Sequence, residues 1–181
     1  MKNIHVNIVV RDVLFDTEEL PFNSQVSPAA KGDSDSANNS IGTLDISVFY
    51  EQAEKDKEGY YALSFDDKSG CSVECFDAIG RNNLSAIANF LEVACIAGKA
   101  GVHSADLEQN INDGWFKVGC VERGGTTFVM MTVTICVSSW RDKKKVYAPL
   151  TVYLTINQAN LLSAACRTVS EFVFEKESEA T

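Results

Sequence analysis

His103, Ser104 and Asp106 bring an imidazole, a hydroxyl and a carboxylate close together in the chain. These are the residue types of a base, a nucleophile and an orienting group. A triad is defined by geometry in space, however, and sequence adjacency does not supply it. The same residues read as a loop histidine, a helix-capping serine and a first-turn acid matched to the helix dipole. Glu122-Arg123-Gly124-Gly125 has the glycines of a phosphate loop but neither the P-loop lysine nor the helix that should follow, so it reads as a hairpin turn. Asp66 and Asp67 stand beside Lys68-Ser69-Gly70, where solvation in a turn accounts for paired carboxylates. Cys71 and Cys75 share one side of a strand at a separation too long for a disulfide. The only histidines, His5 and His103, have no partner at a ligand spacing. No catalytic residue, metal site or cofactor is therefore assigned, and the chain reads as non-enzymatic.

A binding surface is the stronger chemical signal. Phe128, Met130, Thr132, Thr134, Cys136, Ser138 and Trp140 alternate along one side of a long strand-like run, and Tyr147, Thr151, Tyr153 and Thr155 continue that side on the next run. Arg141-Asp142-Lys143-Lys144-Lys145 lies between them as the concentrated basic feature of the chain, with Lys117 and Arg123 available to support it. The candidate binding residues are Phe128, Trp140, Lys143, Lys144, Lys145, Tyr147 and Tyr153: rings to stack on a partner and ammonium groups to meet its charge. Burial of the same rings as ordinary core, between stacked halves or two chains, is the competing reading.

Those residues need strands to align them, and the pattern supplies strands twice. Leu44, Ile46, Val48 and Tyr50 alternate with Asp45, Ser47 and Phe49 over Thr43 to Tyr50. Tyr60 to Asp66 alternates again, and Asp67 to Gly70 turns the chain into Cys71 to Phe76. After Gly80 the period becomes helical: Leu84, Ile87, Phe90, Leu91, Ala94 and Cys95 form one stripe, with Asn82 or Asn83 as cap and Gly98 and Gly101 as stop. A second copy follows. Trp115 to Val121 and Thr126 to Trp140 flank Gly124-Gly125 as a hairpin. Val146 to Ile156 is the third strand, placed at an edge near Pro149. Asn157 then caps a helix to about Glu175. Ile4, Val6, Ile8 and Val10 add one strand before the first copy, and Ser104 to Ile111 reads as a short helix between the copies.

The expected fold is α+β: antiparallel sheet with two packed helices, built from internally duplicated βββα units, the first with an extra N-terminal strand. One domain spans 1–181, with pseudo-repeats at 43–101 and 114–176. The aperiodic, Ser/Asn/Asp/Gly-rich stretch 21–42 is expected to be a mobile loop, and Glu51 to Gly59 an exposed one.

Composition bounds the function. The 181 residues carry a formal charge of −9, with 45% hydrophobic content for a core and no run of the ~20 apolar residues that a membrane span requires. A cytoplasmic protein, in a bacterial or host cell, is expected. Cys95 and Cys166 fall on apolar helix stripes and Cys75, Cys120 and Cys136 within strands, which fits reduced core thiols. The acidic balance opposes whole-surface binding to phosphates.

In topology, the layout resembles the PC4-like, Whirly and Pur-type single-stranded nucleic-acid binders, whose curved antiparallel sheets are each followed by a helix and repeated. That resemblance implies nucleic-acid binding on the sheet. The second copy differs in showing three strands rather than four. The reading that combines the absent catalytic set with the charge is an acidic binding protein that inhibits or regulates a partner macromolecule, of inhibitor, immunity or phage anti-defence type. Its expected partner is a protein, for instance a basic nucleic-acid-binding one, and the expected assembly is a homo-oligomer. The alternative is a single-stranded nucleic-acid binder using the aromatic face.

Overall fold

The computed structural model describes residues 3–16, 39–52, 59–66, 72–75, 80–102, 107–111, 114–138 and 145–178. Alternating apolar residues build two antiparallel meanders. The first comprises β1 (Asn3–Asp16), β2 (Asn39–Glu51), β3 (Tyr60–Asp66) and β4 (Ser72–Cys75), followed by α1 (Arg81–Lys99). The second comprises β5 (Leu107–Ile111), β6 (Gly114–Arg123), β7 (Thr126–Ser138) and β8 (Lys145–Thr155), followed by α2 (Ile156–Ser178). The fold is α+β, and among the described residues each half has the order ββββα.

That order corrects one expectation. Leu107 to Ile111 is an edge strand paired with β6, Leu107 opposite Val118 and Ile111 opposite Gly114, rather than the end of a short helix. A hairpin partner one turn away stabilises the extended form of a segment too short to hold a helix alone. Ser104 itself lies outside the described residues. With β5 in place the two halves carry the same number of strands among the described residues, four each, and the first copy's additional strand has its counterpart.

A short ladder between the end of β1 and β8, Leu14–Asp16 against Tyr153–Thr151, joins the meanders into the order β4-β3-β2-β1-β8-β7-β6-β5. The sheet is bent, because β4 comes against β7 from the opposite end of the first meander. A register shift between Val10 and Val13 lets β1 pair with β2 on both sides of the irregularity. Asn39–Gly42, expected in a loop, pairs with the second part of β1; the rest of that loop, 21–38, lies outside the described residues. Pro149 is opposite Thr134 within a strand flanked on both sides, yet the β1 ladder covers only Thr151–Tyr153, so no ladder amide is demanded of the proline from that side.

One face of each meander carries the core. Val10, Leu44, Ile46, Val48, Leu63 and Phe65 from the first half and Phe116, Val118, Val129, Met131, Val133, Val152 and Leu154 from the second are almost completely buried against the helices. The helices exchange partners: α1 packs on β6 and β7 of the second half, while α2 packs on β1 and β2 of the first as well as β7 and β8. The Phe90 and Phe116 rings stack with centroids 6.2 Å apart, and the Cys120 thiol donates to the Ala94 carbonyl at 2.8 Å. The helices run antiparallel, with the Ser163 hydroxyl on the Ala88 carbonyl at 2.8 Å and Arg81 Nε on the Ser170 carbonyl at 2.9 Å. One core therefore holds both halves.

Helix ends differ in detail from the sequence reading. Gly80 is the N-cap of α1 with no side-chain cap bond, and Asn82 and Asn83 sit inside the first turn. α2 is capped by Thr155 instead of Asn157: Gln158 N–H donates to Thr155 Oγ1 at 3.3 Å, and Thr155 N–H donates to Gln158 Oε1 at 2.7 Å. This reciprocal pair is a capping box that lets the helix start directly from β8. Gly101, at φ 67°, closes α1, with Val102 N–H on the Ala97 carbonyl and Gly101 N–H on the Gly98 carbonyl. Gly98 is not a stop but a buried contact residue within the helix.

Cys95, Cys120 and Cys166 are free, buried thiols. Burial pushes Cys95 up to about 11, with the neighbouring Cys120 adding to the effect, and burial pushes Cys166 up to about 12. Thiolate is the reactive form. At pH 8 only about one Cys95 thiol in a thousand and one Cys166 thiol in ten thousand is ionised, so alkylation of both should be at least a hundredfold slower in the native protein than in urea. Peptide mass spectrometry after timed iodoacetamide treatment checks this, and equal rates would show these thiols to be accessible.

Candidate functional site

The face of the first meander turned away from the helices is organised as rows across three strands. Asn3, Glu51 and Tyr60 form one row; His5, Phe49 and Ala62 the next; Asn7, Ser47 and Ser64 the third; Val9, Asp45 and Asp66 the fourth. Side chains directly opposite in a ladder share a face, so this arrangement follows from register alone. Asn3, His5, Asn7 and Glu51 are exposed, as are Val9 at 51% and Tyr60 at 39%.

Its centre is aromatic. The His5 and Phe49 rings lie with centroids 5.2 Å apart at a tilt of 50°, and Phe49 and Tyr60 meet edge to face at 6.0 Å and 78°. Ala62, directly opposite Phe49, is buried; Phe49 itself is half-buried, while His5 and Tyr60 are exposed. Hydrogen bonds fix the surround: Tyr60 O–H donates to Glu51 Oε2 at 2.9 Å, and Ser47 O–H donates to Asn7 Oδ1 at 2.6 Å. No lysine or arginine occurs in Asn3–Val9, Asp45–Glu51 or Tyr60–Asp66. Chemically, the face offers π-surfaces, amide and hydroxyl groups and carboxylate. These three segments supply no phosphate-binding cation.

The corresponding face of the second meander is more closed. Phe128 is half-buried between Val121 and Thr155, and Met130 lies between Gly119 and Tyr153. Tyr153 is only 6% exposed. Arg123 lies over its ring with the guanidinium carbon 3.9 Å from the centroid, and donates through Nη2 to the phenol oxygen at 2.7 Å. A base stacking on that side of Tyr153 would have to displace the guanidinium. The Thr132 and Thr151 hydroxyls bond across the ladder at 3.0 Å, and Lys117 stands opposite Glu108 and Thr132. Gly124 and Gly125, both at positive φ, make the two-residue turn expected between β6 and β7.

Of the other candidate residues, Tyr147 pairs with Cys136 and Lys145 with Ser138 at the far end of the β7–β8 ladder. Trp140, Lys143 and Lys144 lie outside the described residues, as do His103, Ser104, Asp106, Asp67 and Cys71. Asp66 is opposite Asp45 in the β2–β3 ladder, and Cys75 is opposite Leu63. Among the described residues no group of three or more His, Cys, Asp or Glu side chains is arranged to hold a metal ion, and no helix is long and apolar enough to cross a membrane.

The sequence reading placed its aromatic face in the second half and passed over His5, Phe49 and Tyr60. The signal was present: in each of three neighbouring strands, one ring occupies the polar phase of the alternation, where burial does not call for it. No protein-family model, curated protein or solved structure matches this chain.

Proposed function

We propose that the protein is a non-enzymatic acidic binding protein that inhibits or regulates a partner protein in the cytoplasm of a bacterial or host cell, as inhibitors, immunity proteins and phage anti-defence proteins do. The observation that carries this reading is the His5–Phe49–Tyr60 face, ordered by hydrogen bonds and built from segments Asn3–Val9, Asp45–Glu51 and Tyr60–Asp66 that contain no lysine or arginine, on a chain of net charge −9. Exposed and half-buried rings on a strand platform supply contact area at little conformational cost, and surrounding carboxylates select a partner of opposite sign. Affinity capture with the wild-type chain and with Phe49→Ser/Tyr60→Ser is the test. A partner held by the wild type, released by moderate salt and lost at least tenfold with the double variant supports the proposal. Undiminished capture by a folded double variant overturns it.

Single-stranded nucleic-acid binding is the second reading. The occurrence of ββββα twice favours it, since this brings the chain nearer the duplicated sheet-and-helix layout of the PC4-like, Whirly and Pur-type proteins. Phe128, Tyr147 and Trp140 would stack bases and Lys143, Lys144 and Lys145 would meet phosphates. Titration of fluorescent oligo-dT at low and moderate salt separates the two readings, because phosphate binding weakens steeply with salt.

A further inference from the structure

We infer that the outer face of β1–β3 receives an arginine-bearing segment of the partner, its guanidinium lying against the Phe49 and Tyr60 rings and pairing with the Glu51 carboxylate. This rests on the binding-protein reading above and names the chemistry that the site selects.

Two observations converge on a planar cation. Phe49 and Tyr60 meet edge to face, so their π-faces point in different directions and form a corner rather than a flat stack. A cation within about 6 Å of such a ring face is attracted by its quadrupole, and a guanidinium gains stacking area as well. Tyr60 occupies only Oε2 of the exposed Glu51 carboxylate, which leaves Oε1 to accept from an incoming N–H beside the rings. The Tyr60 hydrogen bond also holds that carboxylate in place, so less freedom is lost when it pairs. Lysine fits less well, because its compact ammonium is more strongly hydrated and has no planar surface to lay on a ring.

The same chemistry disfavours the other occupants. A nucleic-acid strand would find rings, but no cation within the three strand segments to neutralise phosphate. A second copy applied to itself by two-fold symmetry would bring Glu51 against an equally acidic face.

The test uses the full chain, 15N-labelled, titrated with the peptide acetyl-(Arg-Gly-Ser)4-amide and with the same peptide carrying citrulline, which keeps the planar group and removes the charge. The expected result is saturable shifts of the amides in Asn3–Val9, Asp45–Glu51 and Tyr60–Ser64 with the arginine peptide, and at least tenfold weaker binding of the citrulline peptide. Phe49→Leu, which retains an apolar cover over Ala62, and Glu51→Gln should each weaken arginine-peptide binding about three- to fivefold while leaving the remaining spectrum unchanged. Equal binding of the citrulline peptide, shifts confined to other faces, or unchanged affinity in both folded variants would overturn the inference. So would oligo-dT shifting the same amides, or their shifting with protein concentration alone. If the double variant loses its captured partner while the arginine peptide does not bind here, this inference falls and the proposed function stands.

Discussion

Phe116→Ala is expected to remove about 3–5 kcal/mol of folding free energy and to do so through one unfolding transition shared by both halves. Phe116 is completely buried in β6 and stands opposite Val133, which is also fully enclosed. Its ring lies nearly parallel to that of Phe90, with an interplanar angle of 21°, and Phe90 belongs to the helix that ends the first half. Truncation therefore opens a cavity at the junction of the halves rather than within one of them, where close-packed neighbours relax only partly. Urea denaturation followed by circular dichroism gives the loss, and amide exchange shows whether β2 and β7 lose protection together. Leu161→Ala, at a position 59% exposed on α2, is the control and should change stability by less than about 0.5 kcal/mol. Two separate transitions, or a loss under about 1 kcal/mol, would contradict the exchange of helices between the halves.

Period is what made the architecture legible. Strands with one buried face announce themselves through residues such as Ile46, Val48 and Leu63, and a helical stripe through Leu84, Ile87 and Leu91, because burial selects each second or each third and fourth residue. The same signal failed at β5, where Leu107, Gln109 and Ile111 are too few to separate strand from helix and the deciding contact is a ladder to β6. Capping at Thr155 was hidden because a strand residue doubles as helix cap, so the boundary falls inside what reads as one element. Exchange of the helices left no mark at all, since a buried stripe records that a face is covered and not which sheet covers it. The rings of the outer face are the opposite case. His5, Phe49 and Tyr60 are visible as aromatics in the polar phase of the alternation, but only register places them side by side.

Gly98 tests the same interlock from the other side, by adding atoms instead of removing them. A Cβ built on this buried helical glycine would stand 3.3 Å from Ile156 Cδ1, 3.4 Å from Cys120 Sγ and 3.4 Å from Thr127 Cγ2, contacts with α2, β6 and β7 at once. Gly98→Ala sets a helix-propensity gain of about 1 kcal/mol against slight crowding, and the net change should lie within about 1 kcal/mol of zero. Gly98→Val adds two methyl groups to a site walled by three elements and gives up part of the propensity gain to its branched side chain. It should destabilise by about 2–3 kcal/mol or more, because an overpacked core must move backbone or force rotamers. The contrast matters more than either value. Chemical denaturation of the pair separates a glycine kept for close approach, which tolerates one carbon and rejects three, from a glycine kept to end a helix, where alanine and valine would behave alike. Near-neutral valine would mean that the end of α1 stands off from β6 and β7. Loss with valine alone would fix the first half's helix against the second half's sheet, the contact on which a single shared core depends.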